Sequence, residues 1–515
     1  MTALEAGTGR PGGRAVPAGF GPVLRAEWIK FRTVRGWVAG MLMAAVVTVG
    51  ISLLNHSTCG GTVTPGGAPV VGVGCAAPPA GPGGQAVTDS YYLVHQPLPV
   101  SGSITARITS LTAGQGPAGL QPWSKAGIII TAGTRPGSAY AAMMVTAGHG
   151  VRMQYDYVGD IAGRPGLVSV ASPRWLRLDR SGDTITGYQS ADGTRWSRVG
   201  TVRLAGLPVT AQAGMFATSP GSSQATSQSL NGSGGSGAMT EATARFDHVT
   251  LHGSPPGGTW AGSPVGGPSP GMGFHPAGGV ITVTGAGDIA PYAGDAGGGG
   301  GIPVERTLLG AAAGLIAVIV VAAMFMTAEY RRGLIRVTLA ASPRRGQVLA
   351  AKAIVIASVA FVAGLTGAIA AVAAEEPLLR ARGNFILPVS ALTEIRAVGG
   401  TALLLAVAAV LTLTLGALLR SSAAAVTAVI VTLFLPYLLT LTALPAGAAG
   451  WLLRLTPAAA FAIQQTSPAY PQVSASYTPD NGYFPLSPWA GFGVLCGYTA
   501  LAAVLAVVLL RKRDA

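Results

Sequence analysis

The sequence predicts a polytopic α-helical membrane protein with six transmembrane helices and an inserted extracellular all-β sandwich. Only 10% of its 515 residues are charged while 49% are hydrophobic, and the mean hydropathy is +0.49. This composition is too apolar for an ordinary soluble protein. Six long apolar runs are present, and between Val87 and Leu251 the apolar period changes from helical to alternating, which is typical of β-strands.

The six apolar runs reach or approach the roughly 20 residues that a helix needs to cross a bilayer core. None of them contains a charged residue. They comprise residues 37–54, 307–328, 353–374, 398–419, 423–444 and 489–510. The alternative is that one run, the short first one, forms a buried or interfacial helix. An odd number of spans would, however, put the basic C-terminal cluster on the wrong side.

Basic residues set the predicted orientation, because Lys and Arg in short loops concentrate on the cytoplasmic side. All four basic segments fall on one side of a six-span arrangement, and they contain Arg25, Lys30, Arg32 and Arg35; Arg331, Arg332, Arg336, Arg344, Arg345 and Lys352; Arg420; and Arg511, Lys512 and Arg513. We therefore expect a multi-pass protein of a bacterial plasma membrane with both termini cytoplasmic. The net charge of +14 then marks topology, and nucleic acid is not an expected partner.

Six parts of the chain follow from this arrangement. They are a cytoplasmic N-terminus with an amphipathic interfacial helix (1–36), the first span (37–54), a Gly/Pro-rich linker (55–86), the extracellular β-sandwich (87–252), a second Gly/Pro-rich linker (253–306), and a domain with the other five spans and a short cytoplasmic C-terminus (307–515). The polar leader before the first run is too long for a cleavable signal peptide.

Short β-rich runs separated by turn residues define the insert. Predicted strands cover residues 103–111, 126–131, 140–146, 150–157, 174–180, 184–190, 194–202, 212–218 and 242–251. The clearest hairpin has a Ser181-Gly182-Asp183 turn, and Asp192-Gly193 marks the next turn. Strands at this spacing predict an antiparallel sandwich.

Two of the three cysteines, Cys59 and Cys75, lie in the first Gly/Pro-rich linker, whereas Cys496 lies inside the last apolar run. An extracytoplasmic linker would permit a Cys59–Cys75 disulfide. Separation along the sequence does not fix the geometry, so this pairing stays open.

The segments WSKAGIII, GVRMQY, WLRLDRSGDTITGYQSADGTRWSRVG and ATARFDHVTL resemble the concanavalin-like, laminin-G-like jelly-roll domains of secreted carbohydrate-active proteins. The resemblance implies a jelly-roll fold that binds a glycan or the cell wall. Trp123, Trp175 and Trp196 could stack on sugar rings, although an aromatic residue in a sandwich strand more often belongs to the core.

Enzymatic activity is not expected from the insert. Glycoside hydrolysis usually needs two carboxylates across a cleft, and Glu241 is the one glutamate between residues 55 and 304. Turn and strand-edge positions explain most of the aspartates, and a calcium site among them stays an alternative. The six histidines are scattered without metal-ligand spacing, so we expect no metal site.

The chain provides no ATP-binding motif of its own. A phosphate loop needs a Lys between Gly and Ser/Thr, and none of Lys30, Lys125, Lys352 or Lys512 has that setting. Carriers driven by protons or sodium place ionisable residues in their spans. The six apolar runs have none, which disfavours that class.

Two segments resemble the type-2 ABC transporter permeases. Residues 24–35 (LRAEWIKFRTVR) resemble the short helix that opens these proteins, and residues 327–353 resemble their first cytoplasmic loop. The likeness extends through residues 435–437, 451–458, 461–465 and 511–515. Most such permeases have only a short first external loop, so the insert departs from the family pattern.

The resemblance implies an exporter permease that forms the translocation pathway with a second permease copy or a paralogue. ATP-Mg would be bound by a separate ABC ATPase subunit, while this chain binds no cofactor. Membrane lipid would contact the interfacial helix, whose candidate residues are Leu24, Glu27, Trp28, Phe31 and Arg32. Candidate residues for ATPase coupling are Glu329, Arg331, Arg332, Leu334, Ile335, Arg336, Leu339, Arg344 and Arg345. The alternative function is a membrane-anchored glycan-binding or wall-sensing protein, for which one anchoring helix would suffice.

Overall fold

A computed structural model describes most of the chain. The described residues are 19–54, 62–63, 69–70, 77–114, 119–229, 232–254, 258–293, 301–331, 345–442, 444, 446–473, 479 and 482–513. Cys59 and Cys75 lie outside them, as do residues 332–344 of the predicted coupling loop. The predictions on these residues therefore remain predictions.

Eight α-helices form the helical part of the described chain. They are α1 (Phe20–Thr33), α2 (Arg35–Leu54), α3 (Ala311–Arg331), α4 (Arg345–Ala381), α5 (Ala391–Leu419), α6 (Ser422–Thr442), α7 (Ala446–Leu455) and α8 (Pro488–Arg513). Two 3-10 helices, Val304–Leu308 and Pro457–Gln464, precede α3 and follow α7. Among the described residues, six segments are long and apolar enough to cross a membrane, and they coincide with α2, α3 with its preceding 3-10 turn, α4, α5, α6 and α8. The predicted six-span fold class is confirmed.

Helix α5 is the centre of the bundle, because it is buried along most of its length and packs against α3, α4 and α8. Close packing elsewhere depends on glycine. A Cβ added at Gly310 would lie 1.9 Å from the carbonyl oxygen of Thr48, and one at Gly314 would lie 2.1 Å from the Thr48 hydroxyl oxygen. Small residues thus let α2 and the start of α3 approach at backbone distance, as in other membrane helix pairs.

The helices extend beyond the apolar runs that predicted them. Helix α4 includes Lys352 at its start and Glu375 near its end, and both side chains are buried. Glu329 is likewise buried near the end of α3. The run boundaries suggested spans without ionisable residues. The helices that form these spans do contain them. Those boundaries end at the first charge, whereas the helices continue through charged residues. Lys352 and Glu329 bond to each other, while Glu375 Oε2 has no hydrogen-bond partner among the described residues.

The insert folds as two packed antiparallel sheets of seven strands each, with three further two-stranded pairs among the described residues. Its strands are β1 (Thr62–Val63), β2 (Pro69–Val70), β3 (Val87–Asp89), β4 (Tyr91–Leu98), β5 (Ser101–Ala113), β6 (Lys125–Thr131), β7 (Tyr140–Thr146), β8 (Gly150–Tyr155), β9 (Gly159–Ala162), β10 (Arg174–Ser181), β11 (Thr184–Ser190), β12 (Ser197–Arg203), β13 (Ala211–Thr218), β14 (Ser222–Ser229), β15 (Gly232–Ala238), β16 (Glu241–His252), β17 (Ala261–Val265), β18 (Gly273–Ala277), β19 (Val280–Ala286) and β20 (Ile289–Pro291). Sheet I has the order β12-β11-β10-β5-β16-β19-β18, and sheet II has the order β17-β4-β13-β6-β7-β8-β9. The non-consecutive neighbours show that the chain crosses repeatedly between sheets. The predicted all-β sandwich is confirmed.

The two sheets differ in how they meet solvent. Sheet I alternates between buried and exposed residues, as in β10, which is the pattern of a sheet with one face in water. In sheet II, strands β6 and β7 are buried at every residue. A second cluster, containing Tyr91, Ile129, Phe216 and Ile289, covers the face of sheet II that points away from sheet I. Strand β20 pairs with β3 across this side.

The sandwich continues past residue 252, where the sequence predicted a linker. Strands β17 and β18 lie at sheet edges, and β19 pairs with β16. Their sequences AGSPV and GFHPA contain the glycine and proline that predicted a flexible connector. Proline is tolerated in edge strands because the unpaired N–H side faces outward, so composition alone did not reveal them.

Candidate coupling site

Four charged side chains from three helices meet at one end of the bundle. Glu27 and Lys30 lie on α1, Glu329 lies near the end of α3, and Lys352 lies two turns into α4. We call these four residues the charge cluster, and the end of the bundle that holds them the α1 side. Glu329 precedes and Lys352 follows residues 332–344, so the cluster ties α1 to both flanks of that segment.

The charge cluster alternates acids and bases. The Lys352 ammonium donates to Glu27 Oε2 and to Glu329 Oε1, both at 2.7 Å. The Lys30 ammonium donates to Glu27 Oε1 at 2.7 Å and to Glu329 Oε1 at 3.0 Å. Two Glu and two Lys give a formal charge of zero. Each carboxylate therefore faces both ammonium groups, and the cluster is balanced as a unit.

Burial makes this arrangement structurally important. Lys352 and Glu27 are each 1% exposed. The Lys30 side chain is 40% exposed and forms the edge that faces outward. Burial lowers the pKa of Lys30, but hydrogen bonds and charge attraction from Glu27 and Glu329 outweigh this effect and raise it above its usual value. A buried charge in such a network is tolerated because its partners replace water.

Aromatic side chains enclose the cluster. The Lys352 ammonium lies 4.6 Å from the centre of the Phe325 ring, within cation–π range. Phe325 in turn makes edge contacts with Phe31 of α1 and Trp37 of α2, at centroid distances of 5.6 and 5.1 Å. The start of α2 is therefore fixed to the same site, and a displacement of α1 would be felt by α2, α3 and α4 together.

The predicted interfacial helix has two distinct faces. Phe31 is buried and Leu24 packs against the helical core, while Trp28 is 45% exposed and Arg32 is exposed. The sequence predicted Glu27 only as a member of this helix, and it predicted no ion-pair partner for this residue. The signal was present, since a Glu on the same face as Phe31, four residues away, is unusual unless a cation meets it.

The structure describes the loop candidates only in part. Arg331 ends α3 and Arg345 begins α4, and Glu329 joins the charge cluster. The other six candidates, Arg332, Leu334, Ile335, Arg336, Leu339 and Arg344, lie outside the described residues. Helix α5 reaches the same side, because the Arg420 guanidinium lies 5.6 Å from the ring of Tyr330.

The solvent-facing side of sheet I carries a second candidate site. Trp175 on β10, Arg107 on β5 and Asp247 on β16 are aligned in register across three neighbouring strands. Arg107 donates twice to Asp247, each bond 2.6 Å long, and its guanidinium lies 5.6 Å from the Trp175 ring. His248, at a β-bulge with a φ of 48°, contacts the same ring at 5.2 Å. Backbone strain of this kind is often found at functional sites.

The other two predicted tryptophans differ from Trp175. Trp123 is 6% exposed and stacks on His149 at 3.8 Å, so it is part of the domain interior. Trp196 is partly exposed and precedes β12. Within the described part of the chain, no group of three or more His, Cys, Asp and Glu side chains is arranged to hold a metal ion.

Six helices able to cross a membrane, joined to a two-sheet β-domain, define an integral membrane protein of the helical class. The family model described as "ABC-2 family transporter protein" matches residues 185–515, which is more than half of the chain. The chain belongs to this family, as residues 24–35 and 327–353 predicted. The match begins in β11 and so includes part of the β-domain.

Solved structures with partial likeness cover about a third of the chain. The GH43 BlXynB protein from Bacillus licheniformis is 17% identical with a TM-score of 0.19, covering 30% of this chain and 28% of its own. SCP-B, a member of the Eqolisin family of peptidases, is 7% identical with a TM-score of 0.24, covering 38% and 98%. The alginate lyase from Klebsiella pneumoniae is 14% identical with a TM-score of 0.16, covering 30% and 61%. Comparison with curated proteins finds no match.

Proposed function

We propose that this chain is the membrane-spanning permease of an ATP-driven exporter, working with a separate ABC ATPase subunit and a second permease copy or paralogue. ATP-Mg is bound by the ATPase. In a bacterial plasma membrane, the α1 side faces the cytoplasm with both termini, and the β-domain is extracellular. The ABC-2 family match and the basic residues on the α1 side support this assignment.

The charge cluster is the observation that favours coupling. A partner that pushes on residues 332–344 acts on two helices whose ends are bonded to each other and to α1 through Lys352, Glu329 and Glu27. Movement of that segment is then transmitted to α3 and α4 as a rigid unit. A buried ion network resists separation, because removing one partner leaves an unpaired buried charge.

The test uses Leu334 and Leu339, which the sequence places in the proposed ATPase-binding segment. Replacing both by Asp should leave membrane insertion normal but remove the co-purifying ATPase, because truncating a central interface anchor can cost about 2 kcal/mol or more. Leu419→Asp is the matched control. Leu419 is 47% exposed beside Arg420 on the same side of the bundle, outside the segment. Equal ATPase recovery from the double variant and the control would refute the docking role.

The row of Trp175, Arg107 and Asp247 favours a second role, glycan or cell-wall binding by the β-domain. Its partly exposed indole lies between Arg107 and the Gly193 turn, and the flanking charged groups offer hydrogen bonds to sugar hydroxyls. Trp175→Ala in the full-length protein should weaken retention on purified cell-wall polysaccharide about tenfold, equivalent to about 1.4 kcal/mol. The control is Val209→Ala, because Val209 is 74% exposed on the same domain and lies outside this row. Equal retention of both variants would remove this role and leave the permease function untouched.

A further inference from the structure

Residues 464–473, which begin at the last residue of the second 3-10 helix, touch both the helical bundle and the β-domain. We call them the junction segment. On its β-domain side, the Gln472 amide donates to the carbonyl oxygen of Val158 at 3.0 Å, and Gln472 is 4% exposed. Val473 forms a small apolar cluster with Ala290 and Ala293 at the end of the sandwich. A polar contact at Val158 and an apolar contact at the exit of the insert therefore join the insert to the bundle through this segment.

The β-domain residues that contact the junction segment are held in place by contacts within the domain. Val158 follows Asp156 and Tyr157, whose φ angles are 44° and 68°. Tyr157 is buried and donates its hydroxyl to Asp89 at 2.7 Å, which holds this tight turn against β3. A displacement of Gln472 would therefore meet a constrained turn.

The second contact, at Ala290, also lies next to residues that are held by buried hydrogen bonds and an ion pair. Ala290 lies on β20, just after Asp288 and Ile289. The fully buried Lys125 ammonium bonds to Asp288 Oδ1 at 2.7 Å and to the Ile289 carbonyl at 2.8 Å. Lys125 belongs to β6 in the middle of sheet II, so β20 is anchored to the centre of that sheet.

On its other side, the junction segment is bonded to the spans. The Gln464 amide donates to Thr401 Oγ1 of α5 at 3.0 Å, and the Arg396 guanidinium donates to the Gln465 carbonyl at 2.5 Å. The Thr466 hydroxyl donates to Glu305, in the 3-10 turn before α3. The preceding 3-10 helix packs tightly on α8, since a Cβ at Gly491 would lie 2.2 Å from the Ala459 carbonyl oxygen.

We propose that the junction segment is a mechanical link that makes the β-domain move with α5 and with the turn that precedes α3, so that the domain is a moving part of the exporter and not a tethered module. This inference rests on the proposed function, because the movement is supplied by the ATPase. The domain would change position over the extracellular end of the bundle once in each transport cycle. Bonds from one segment to α5, to the turn before α3 and to two anchored points of sheet II carry that movement.

The experiment measures disulfide formation between Ala293→Cys and Val473→Cys, in a full-length chain whose Cys59, Cys75 and Cys496 are replaced by Ser. The complex with its ATPase is studied in lipid nanodiscs, nucleotide-free and trapped with ATP-Mg and vanadate. We expect oxidation to link the pair readily without nucleotide, and the rate to change about fivefold or more on trapping. The linked protein should lose ATP turnover, and reduction should restore it.

A matched control is the pair Thr186→Cys and Thr201→Cys. These residues are direct partners on β11 and β12, on the solvent face of sheet I. Their linkage should proceed at one rate in both nucleotide states and leave ATP turnover unchanged. If Ala293→Cys and Val473→Cys do not link in the permease alone, the docking contact is overturned.

Two further outcomes distinguish a failure of the mechanical link from a failure of the proposed function. Equal linkage rates in both nucleotide states together with full ATP turnover of the linked protein would mean that the domain is docked but passive, which overturns the mechanical link. Failure of any ATPase to co-purify with the unmodified chain would overturn the proposed function, and with it the ATP-driven movement, while the docking contact is still decided by linkage in the permease alone.

Discussion

At the scale of single residues, the charge cluster combines a large desolvation penalty with complete pairing. Lys352 is 1% exposed, and its ammonium has two carboxylate partners and an aromatic face. Breaking a buried pair by removing one partner typically destabilises a protein by about 3–5 kcal/mol, whereas replacing a whole pair can be nearly neutral. This asymmetry distinguishes a network from a set of independent contacts.

Lys352→Met should therefore lower thermal stability strongly, because it leaves Glu27 and Glu329 sharing Lys30 alone. The double variant Glu27→Gln with Lys352→Met retains the balanced Lys30–Glu329 pair and should be more stable than Lys352→Met. Arg380→Ala is the control, since Arg380 is 65% exposed and its bond to Glu376 should contribute no more than about 1 kcal/mol. Unfolding followed by size-exclusion fluorescence measures all three. If the Lys352→Met and Arg380→Ala variants had equal thermal stability, the cluster would not be a coupled network.

The members of this cluster could be named from the sequence, but their pairing could not. Glu27 and Glu329 appeared among the predicted interfacial and coupling residues, and Lys352 among the basic residues of the loop. Glu27 and Lys352 are separated by 325 positions. Which charges meet depends on how α1 is laid against α4, and no local pattern encodes that placement. Trp175 shows the same limit, because its register with Arg107 and Asp247 is set by strands distant in sequence.

At the scale of elements, apolar length predicted which segments are helical but not where they end. Helix α5 is preceded by Ser390, whose hydroxyl accepts a hydrogen bond from the Thr393 N–H, and is followed by Arg420 with a φ of 54°. Both are ordinary end signals, a Ser N-cap and a left-handed C-cap. Helix α4 runs to Ala381 and even contains Pro377. A rule that ends a span at the first charge shortens such helices.

Short edge strands were harder to predict from the sequence than long strands. Strands β17 and β18 are five residues each and contain both glycine and proline. Their stability comes from neighbours, since β17 pairs with β4 and β18 pairs with β19. In the long strands β5, β10 and β16, buried and more exposed residues alternate, because one face of each strand packs inward and the other faces solvent. Such alternation of apolar and polar residues is visible in a sequence.

At the scale of the whole molecule, a second folding unit is inserted between the first two spans. Its entry strand β3 and its exit strand β20 are antiparallel partners, with Asp89 opposite Ile289. Entry and exit therefore lie side by side, which allows a domain to be inserted without separating the helices that flank it. The β-domain also has its own interior between the sheets, distinct from the core of the bundle.

One buried acid makes the stability of this unit depend on pH. Asp89 Oδ2 accepts hydrogen bonds from Tyr157 and from the Gly137 N–H, while Asp89 Oδ1 is buried without a partner among the described residues. Burial raises the pKa of Asp89 from 3.8 to about 6, although these hydrogen bonds oppose the shift. The folded state thus favours the protonated acid. The destabilisation is absent below the unfolded pKa, grows as pH rises, and is complete above about 6.

We predict that a fragment of residues 77–293 folds alone as a soluble β-domain and is less stable at neutral than at mildly acidic pH. Ionisation of Asp89 should remove about 2 kcal/mol between about pH 4.5 and about pH 7.5, because most of the pH range between its ordinary pKa of 3.8 and its folded pKa of about 6 lies in that interval. Circular dichroism should show a sheet spectrum, and thermal melts at the two pH values measure the difference. Asp89→Asn keeps an acceptor for Tyr157 and Gly137 but cannot ionise, so its melting temperatures should differ less between the two conditions. Other groups that titrate act equally on both proteins and cancel in the comparison. A helical or unfolded spectrum would refute the independent domain, and identical pH dependence of the two proteins would refute the role of Asp89.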